Sequence, residues 1–485
     1  MINWRNLFHV LFFIVFIVSL FLIGPILAGC YYREWSNVKT FFIVLMTSCC
    51  ISLSLHLLTR SKREFYFTTR DGFLLVTLSW IAVSAVGAVP FVLTGTISSY
   101  TEAYFETMSG FTTTGASILT NIEGLPYSVL FWRSLTHWLG GMGIVVLAVA
   151  ILPLIGIGGM PLIQAESPGP RVDKIVPQVR GTAMILWLIY LGLSVLETIL
   201  LLFGGMNLFD ALTHTFGTMA TGGFSPKNAS VGYYHSPYLH NVITIFMVLA
   251  GVNFGLYYVL LQRKFKNLRK NTELHIYLGI FIIAALLIGL NLKGHGLYKT
   301  FSESLRYGSF QAASILTTTG FATADFDTWP SFSRAVLFCL MFVGGCSGST
   351  GGGIKVVRII TVFKLAWNEM KHLLNPRGIH LVRINGEPVK KDMVYTVTGF
   401  ICLYLFLLLV ITLAVAGSGI DLLSSFSAAL ATLGNIGPGF GAFGPTMNYH
   451  FLPGWVKWIL SFAMMVGRLE VYTVLIVFTP SFWKK

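Results

Sequence analysis

The chain has 485 residues, 55% of them hydrophobic and only 11% charged, with a mean hydropathy of +0.74. Soluble domains carry about 25% charged residues, so this composition excludes a soluble globular protein and puts the apolar runs in lipid. The formal net charge of +14 points first to basic loops on the cytoplasmic side of a membrane, and only second to nucleic acid.

A span needs about 20 apolar residues. Runs of that kind lie at about 7–29, 38–58, 72–94, 129–155, 182–204, 239–261, 274–292, 333–354, 393–416 and 455–479, predicting ten transmembrane helices. They read as helices because lipid offers no partner to an unpaired backbone group. The first run is too long for a signal-peptide core and no A-x-A-like site follows it, so it reads as a span. The six cysteines (Cys30, Cys49, Cys50, Cys339, Cys346 and Cys402) show no C-x-x-C spacing and mostly lie in or beside apolar runs. They read as small apolar filler, not as a disulfide framework or zinc site.

Four intervening segments are not ordinary loops. Residues 99–115 (SYTEAYFETMSGFTTTG) follow the third run, are helix-compatible, too short to cross, and end in Thr and Gly. Similar stretches follow the fifth run (NLFDALTHTFGTMATGGFS), the seventh (FSESLRYGSFQAASILTTTGFAT) and the ninth (DLLSSFSAALATLGNIGPGF). Such stretches, with about 10–14 helical residues, fit re-entrant half-helices. Basic residues set the orientation. Clusters follow the second run (Arg60, Lys62, Arg63, Arg70), the fourth (Arg171, Lys174, Arg180), the sixth (residues 263–270) and the eighth (residues 355–391). With Arg5, Lys484 and Lys485 they hold most of the 33 Lys and Arg, whereas 95–127 and 417–455 hold none. Both termini are expected in the cytoplasm, with the half-helices entering from the outer face.

The four segments align on one glycine each: Gly115 in TTTGAS, Gly222 in MATGGF, Gly320 in TTTGFA and Gly437 in GNIGPG. Each is followed by a run with a second glycine-bearing break, at Gly140 and Gly141, Gly251, Gly344 and Gly345, and Gly467. The chain thus reads as two N-terminal helices (1–68) and four span–half-helix–span repeats at 69–178, 179–270, 271–388 and 389–485. The expected fold is an all-α integral membrane protein, pseudo-fourfold around one ion pore. A cation crossing lipid exchanges its hydration shell for oxygen ligands, which a ring of carbonyls supplies. Glycine permits the backbone turn that aims carbonyls at an axis, and the half-helices direct their partly negative C-terminal ends there. The expected ligands are Thr112, Thr113, Thr114 and Gly115; Ala220, Thr221 and Gly222; Thr318, Thr319 and Gly320; and Asn435, Ile436 and Gly437. Acids near the half-helix starts (Glu102, Glu106, Asp210, Glu303, Asp421) fit helix capping somewhat better than cation attraction.

The eighth run carries Gly344, Gly345, Cys346, Ser347, Gly348, Ser349, Thr350, Gly351, Gly352 and Gly353 in succession. Its Lys is not followed directly by Ser or Thr and no strand precedes it, which sets aside a phosphate loop. Glycine costs about 1 kcal/mol per residue relative to alanine in a helix, so this span must break. A break inside a protein-lined cavity suits a gate or ion site. Arg468 lies within the last run, where a charge at mid-bilayer costs about 2.5–3.5 kcal/mol and is expected to face a cavity. Pairing with Glu470 is the structural alternative. Glu197 sits mid-span with no evident role.

The fourfold plan, the two leading helices, TTTG in units one and three, and GGCSGSTGGGIK together resemble the Trk/Ktr/HKT superfamily of cation transporters, in its bacterial TrkH branch. The resemblance covers essentially the whole chain. It implies potassium (K+) as the transported ion, a homodimer with one pore per protomer, a bacterial inner-membrane location and a cytoplasmic nucleotide-binding regulatory subunit resembling TrkA. It also implies that residues 344–353 form an intramembrane gate loop and that Arg468 projects into the pore beside it. Sodium-preferring plant relatives carry serine in the first turn, so Gly115 favours potassium. Asn435, Ile436 and Pro438 depart from the pattern in unit four. The runner-up function is a proton- or sodium-coupled symporter, whose titratable relay would draw on Glu197, His137, His214 and Glu470. HExxH, GxSxG and paired catalytic Asp motifs are absent, and no organic cofactor is called for. Lipid is an expected partner and nucleic acid is not.

Overall fold

A computed structural model describes residues 2–60, 68–143, 179–378 and 380–484. Six of its helices are long and apolar enough to cross a membrane: Trp4–Tyr31, Trp35–Leu58, Thr69–Leu93, Gly181–Phe203, Thr272–Gly294 and Lys391–Ala416. The first is interrupted at Phe21 and Leu22, between Trp4–Leu20 and Ile23–Tyr31. Pro25 explains this, since it has no N–H for the Phe21 carbonyl and its ring crowds that turn. Helix Thr69–Leu93 starts at a capping box, in which the Thr68 side chain accepts from Asp71 N–H and the Asp71 carboxylate accepts from Thr68 N–H (2.9 Å).

Of the other expected spans, two are bent and a third is interrupted. Pro237–Ala250 and Phe254–Leu261 meet at 94°, and Gly454–Arg468 and Val471–Phe478 at 118°. Ser331–Leu340 stops well short of the end expected for its span, and helix resumes only at Val356–Leu374. Tyr127–Gly141 ends at the glycine pair; the rest of the run at 129–155, with Arg171 and Lys174, lies outside the described residues.

Four short helices follow long ones: Tyr100–Phe111, Leu208–Met219, Phe301–Leu316 and Leu422–Leu433. Twelve helical residues rise about 18 Å, roughly half a hydrocarbon core of about 30 Å. Three begin at side-chain caps: Asn207 accepts from Asp210 N–H, Thr300 from Glu303 N–H and Asp421 from Ser424 N–H. The short helices are buried on nearly every side towards their C-termini. The long helices instead turn large apolar side chains outward, among them Leu188, Leu191, Leu405, Phe406 and Leu409. The inversion is that of a lipid-facing shell around a buried, polar-ended core. A two-stranded hairpin, Arg383–Ile384 against Glu387–Pro388, stands in a basic connection. Asn385 and Gly386 turn it with φ of 54° and 82°, the left-handed pair that tight hairpins favour.

Candidate functional site: a ring of four turns over a glycine loop

All four short helices end in the same way. The residue after each C-cap is left-handed: Thr113 (φ 52°), Thr221 (54°), Thr318 (60°) and Asn435 (53°). The next N–H reaches back to a carbonyl in the last turn: Thr114 to Ser109 (2.9 Å), Gly222 to Gly217, Thr319 to Ser314 and Ile436 to Ala431 (each 2.8 Å). This is Schellman closure, which ordinarily places glycine at the left-handed position. Threonine there is a genuine outlier, costing about 1–3 kcal/mol, and such strain gathers at functional sites.

A left-handed glycine follows two residues later in each turn: Gly115, Gly223, Gly320 and Gly437. A Cβ on Gly115 would overlap the carbonyl oxygen of Gly222; on Gly223, that of Thr319; on Gly320, that of Ile436; on Gly437, that of Thr114. Each turn thus leans its glycine on the carbonyl of the next, and the fourth returns to the first. The ring is closed.

This geometry shifts the second repeat by one residue. Gly223, not Gly222, takes the place of Gly115, Gly320 and Gly437, while Gly222 stands where Thr114, Thr319 and Ile436 stand. Two adjacent glycines left the register open in the sequence; only the one needing positive φ decides it. Ala220 then matches Thr112, Thr317 and Gly434. Hydroxyls brace the ring from behind: Thr112 Oγ1 lies 2.8 Å from Thr114 Oγ1, and Thr317 Oγ1 2.7 Å from Thr319 Oγ1. In unit four Asn435 Nδ2 donates to Thr114 Oγ1 and to Met464 O (2.9 Å each). Asparagine tolerates the left-handed region better than threonine, and its amide replaces a threonine brace with a tie to the first repeat.

The glycine run packs directly against this ring. Gly352 N–H donates to Thr318 Oγ1 (2.7 Å). Cys346 N–H donates to Gly251 O (2.8 Å) and Thr350 Oγ1 to Ala250 O (3.1 Å). The loop thereby satisfies carbonyls that helix Pro237–Ala250 leaves unpaired at its C-terminus. Gly344 N–H closes the loop on Ile354 O (2.8 Å).

Arg468 ends helix Gly454–Arg468 and reaches three carbonyls among the described residues. Its guanidinium donates to Thr350 O in the loop, and to Gly140 O (2.7 Å) and Gly141 O (2.6 Å) at the end of helix Tyr127–Gly141. One side chain ties the first, third and fourth repeats together. Glu470 is instead ion-paired with Arg358, whose guanidinium lies 4.0 Å from the Phe400 ring centroid.

Among the described residues no group of three His, Cys, Asp or Glu could hold a metal ion.

Comparison with known proteins bears on the family and the overall fold. The family model described as "Cation transport protein", TrkH, matches residues 37–485. The Trk system potassium uptake protein TrkH of Escherichia coli K12 is 38% identical over 489 residues, covering 100% of both chains. Its namesake in Halomonas elongata is 39% identical, covering 99% of each. The crystal structure of the potassium transporter TrkH from Vibrio parahaemolyticus superposes with a TM-score of 0.89 at 34% identity over 100% of both chains. The chain belongs to the TrkH family of cation transport proteins. Members of the TrkH family are transporters, not enzymes.

On the far side of the ring from the loop, this TrkH-family chain has a cavity of about 150 Å³, lined by Gly115, Gly223, Gly320 and Gly437 and by Arg133 and Lys227. The acids near the half-helix starts are tied down. Glu106 pairs with Arg133 (2.7 Å) and accepts from Ser117 Oγ and Ile118 N–H (2.9 Å each). Glu102 pairs with Lys457 (2.6 Å), Asp210 accepts from Tyr234 Oη (2.5 Å), Glu303 lies 3.9 Å from Arg306, and Asp421 caps its helix. The capping and pairing role prevails over cation attraction. Glu197 is fully buried, with neither carboxyl oxygen hydrogen-bonded among the described residues. The neighbouring Thr218 hydroxyl donates instead to His214 O (2.9 Å). Nothing in the structure explains Glu197.

Arg133 and Glu273 do not stand out in the sequence, because each looks like a lone charge at the edge of an apolar run. Arg133 is 2% exposed, donates to Ser225 O (3.0 Å), and stacks 3.6 Å from the Phe224 ring centroid. Arg133→Ala leaves Glu106 charged and unpaired in the interior. It is expected to cost about 3–5 kcal/mol, read as earlier unfolding in detergent. Adding Glu106→Gln should recover part of the loss. Wild-type stability in the single mutant refutes the pairing.

Proposed function

We propose that the chain conducts potassium across the bacterial inner membrane through the ring of turns, with residues 344–353 as its gate. The observation that carries this reading is the closed ring of four left-handed turns, each glycine seated on its neighbour's carbonyl. Such a ring presents oxygens without mobile side chains, as a cation filter requires. The relatives' printed names, potassium uptake protein and potassium transporter, support potassium as the ion. The four turns with the register found here, Thr112–Gly115 by position, Ala220 to Gly223, Thr317 to Gly320 and Gly434 to Gly437, form the filter in this reading. The five segments 1–68, 69–178, 179–270, 271–388 and 389–485 are its building units.

Both termini and the basic loops lie in the cytoplasm, and two protomers associate, each with its own pore. A nucleotide-binding subunit resembling TrkA docks on the cytoplasmic face. The test is radioactive rubidium uptake into proteoliposomes holding this chain alone. Uptake driven by the rubidium gradient, with a reversal potential indifferent to pH and to sodium, supports conduction. A reversal potential that follows either of them indicates a symporter. His137 Nδ1 contacts Gly110 O (2.6 Å), His214 Nδ1 contacts Asp210 O (2.7 Å), and Glu470 pairs with Arg358. His214 Nε2 also contacts Ser225 Oγ (3.1 Å), but among the described residues these bonds do not join into a relay, which favours conduction.

Residues Lys264, Lys266 and Arg269 follow the broken sixth span. Reversing all three to Glu should weaken co-purification of the regulatory subunit about tenfold or more. Unchanged co-purification and nucleotide response leave these residues a purely topological role.

A further inference from the structure

Glu273 is the second residue of helix Thr272–Gly294, and it is buried. An acid there ordinarily stabilises its own helix start. That position is already served, since Asn271 Oδ1 accepts from Leu274 N–H (2.8 Å). The Glu273 carboxylate turns elsewhere. Its Oε1 accepts from Ser347 N–H (2.7 Å) and from Val357 N–H (3.1 Å). One donor lies early in the glycine loop and the other just past its exit. A single oxygen atom therefore joins the two ends of a segment whose glycines give it little stiffness of its own.

The preceding residue faces the opposite way. Thr272 N–H donates to Asn385 Oδ1 (2.8 Å), and Thr272 Oγ1 accepts from Asn385 N–H (3.3 Å). Asn385 forms the turn of the Arg383–Pro388 hairpin. Two adjacent residues thus connect an exposed hairpin to the loop under the ring.

We infer that Glu273 is a positioning residue that staples the glycine loop shut, and that the hairpin at Asn385 is the handle through which this staple is moved. The inference deepens the gate assigned above and rests on it. The staple acts through hydrogen bonding, so glutamine, whose amide oxygen keeps the acceptor, substitutes for it; alanine does not. Aspartate, one methylene shorter, falls out of reach.

Cys346, beside Ser347 and 1% exposed, reports on the loop directly. The full chain is placed in proteoliposomes with Cys30, Cys49, Cys50, Cys339 and Cys402 replaced by serine. The rate of Cys346 alkylation by N-ethylmaleimide is then measured. Glu273→Ala should raise that rate about 10- to 100-fold, the worth of one lost bond to a charged acceptor, since releasing either end of the loop undoes the staple. Glu273→Gln should stay within about threefold of the parent, and Asn385→Ala should fall between them. Where the alanine variant does not fold, Glu273→Asp carries the same expectation. Parental rates in the alanine or aspartate variant overturn the staple. A glutamine variant as fast as alanine overturns its hydrogen-bonding basis, and a parental rate in Asn385→Ala overturns the handle. Rubidium flux is read on the same vesicles. Faster alkylation with unchanged flux leaves the staple standing and refutes the gate.

Discussion

Arg468→Ala is expected to raise rubidium flux by about one to two decades in the absence of any regulatory subunit. Of the three carbonyls that Arg468 reaches among the described residues, that of Thr350 belongs to the glycine loop; those of Gly140 and Gly141 fix the other end of the bridge. Breaking the bridge therefore costs the closed loop about one charge-assisted bond, roughly 1.5–3 kcal/mol, and 1.4 kcal/mol is tenfold in an equilibrium. Shortening the glycine run should act on the same closed state, so the double change should fall short of the sum. Lysine at 468 should restore only part of the closure, because a compact ammonium cannot spread three donors as a planar guanidinium does. Loss of flux in well-folded Arg468→Ala protein makes the arginine a support of the conducting form and refutes the bridge.

The second large effect concerns the glycines of the ring. Gly115→Ser is strained by its φ of 81° and drives a Cβ into the Gly222 carbonyl, so the oxygen moves. Selectivity among alkali cations depends on the number and placement of such oxygens. Relative sodium permeability should rise by about tenfold, a shift of about 1.4 kcal/mol between the two ions. Gly223→Ala should do the same through Thr319, whereas Gly222, with ordinary φ, has its Cβ direction blocked by the His137 ring instead. Bi-ionic potentials check both. Equal sodium permeability in Gly115→Ser and wild type removes the first turn from the filter, and the same result for Gly223→Ala removes the second.

The apolar runs made the helical shell legible, and the T-x-G endings made the short helices legible, because both are local patterns of composition. Arg468 was legible as a charge with nowhere to go in lipid. The register of unit two was not, since Gly222 and Gly223 are chemically the same until φ separates them. The bends were visible as glycines, but not their angles, which follow from packing against neighbouring repeats. Arg133 and Glu273 were hidden for a different reason. Their partners, Glu106 and Ser225 for one, Ser347 and Val357 for the other, come from other segments of the chain. No short-range pattern records such a meeting.

The seam between Asn435 and Thr114 bears on how the molecule is made. Three quarters of the ring are joined by residues roughly a hundred positions apart, but this last joint spans 321. Ribosomes deliver the N-terminal half first, so Thr114 is in place long before Asn435 and Gly437 exist. Until the final repeat arrives, the ring is an arc with one side missing, and Arg468, the bridge to the glycine loop, is also still unsynthesised. The joint that completes the ring and the bridge that locks the loop are thus delivered together, within a few dozen residues of each other. A ribosome that stalls before them leaves neither a finished passage nor a latched one, so a truncated chain is poorly placed to leak ions through a half-built filter.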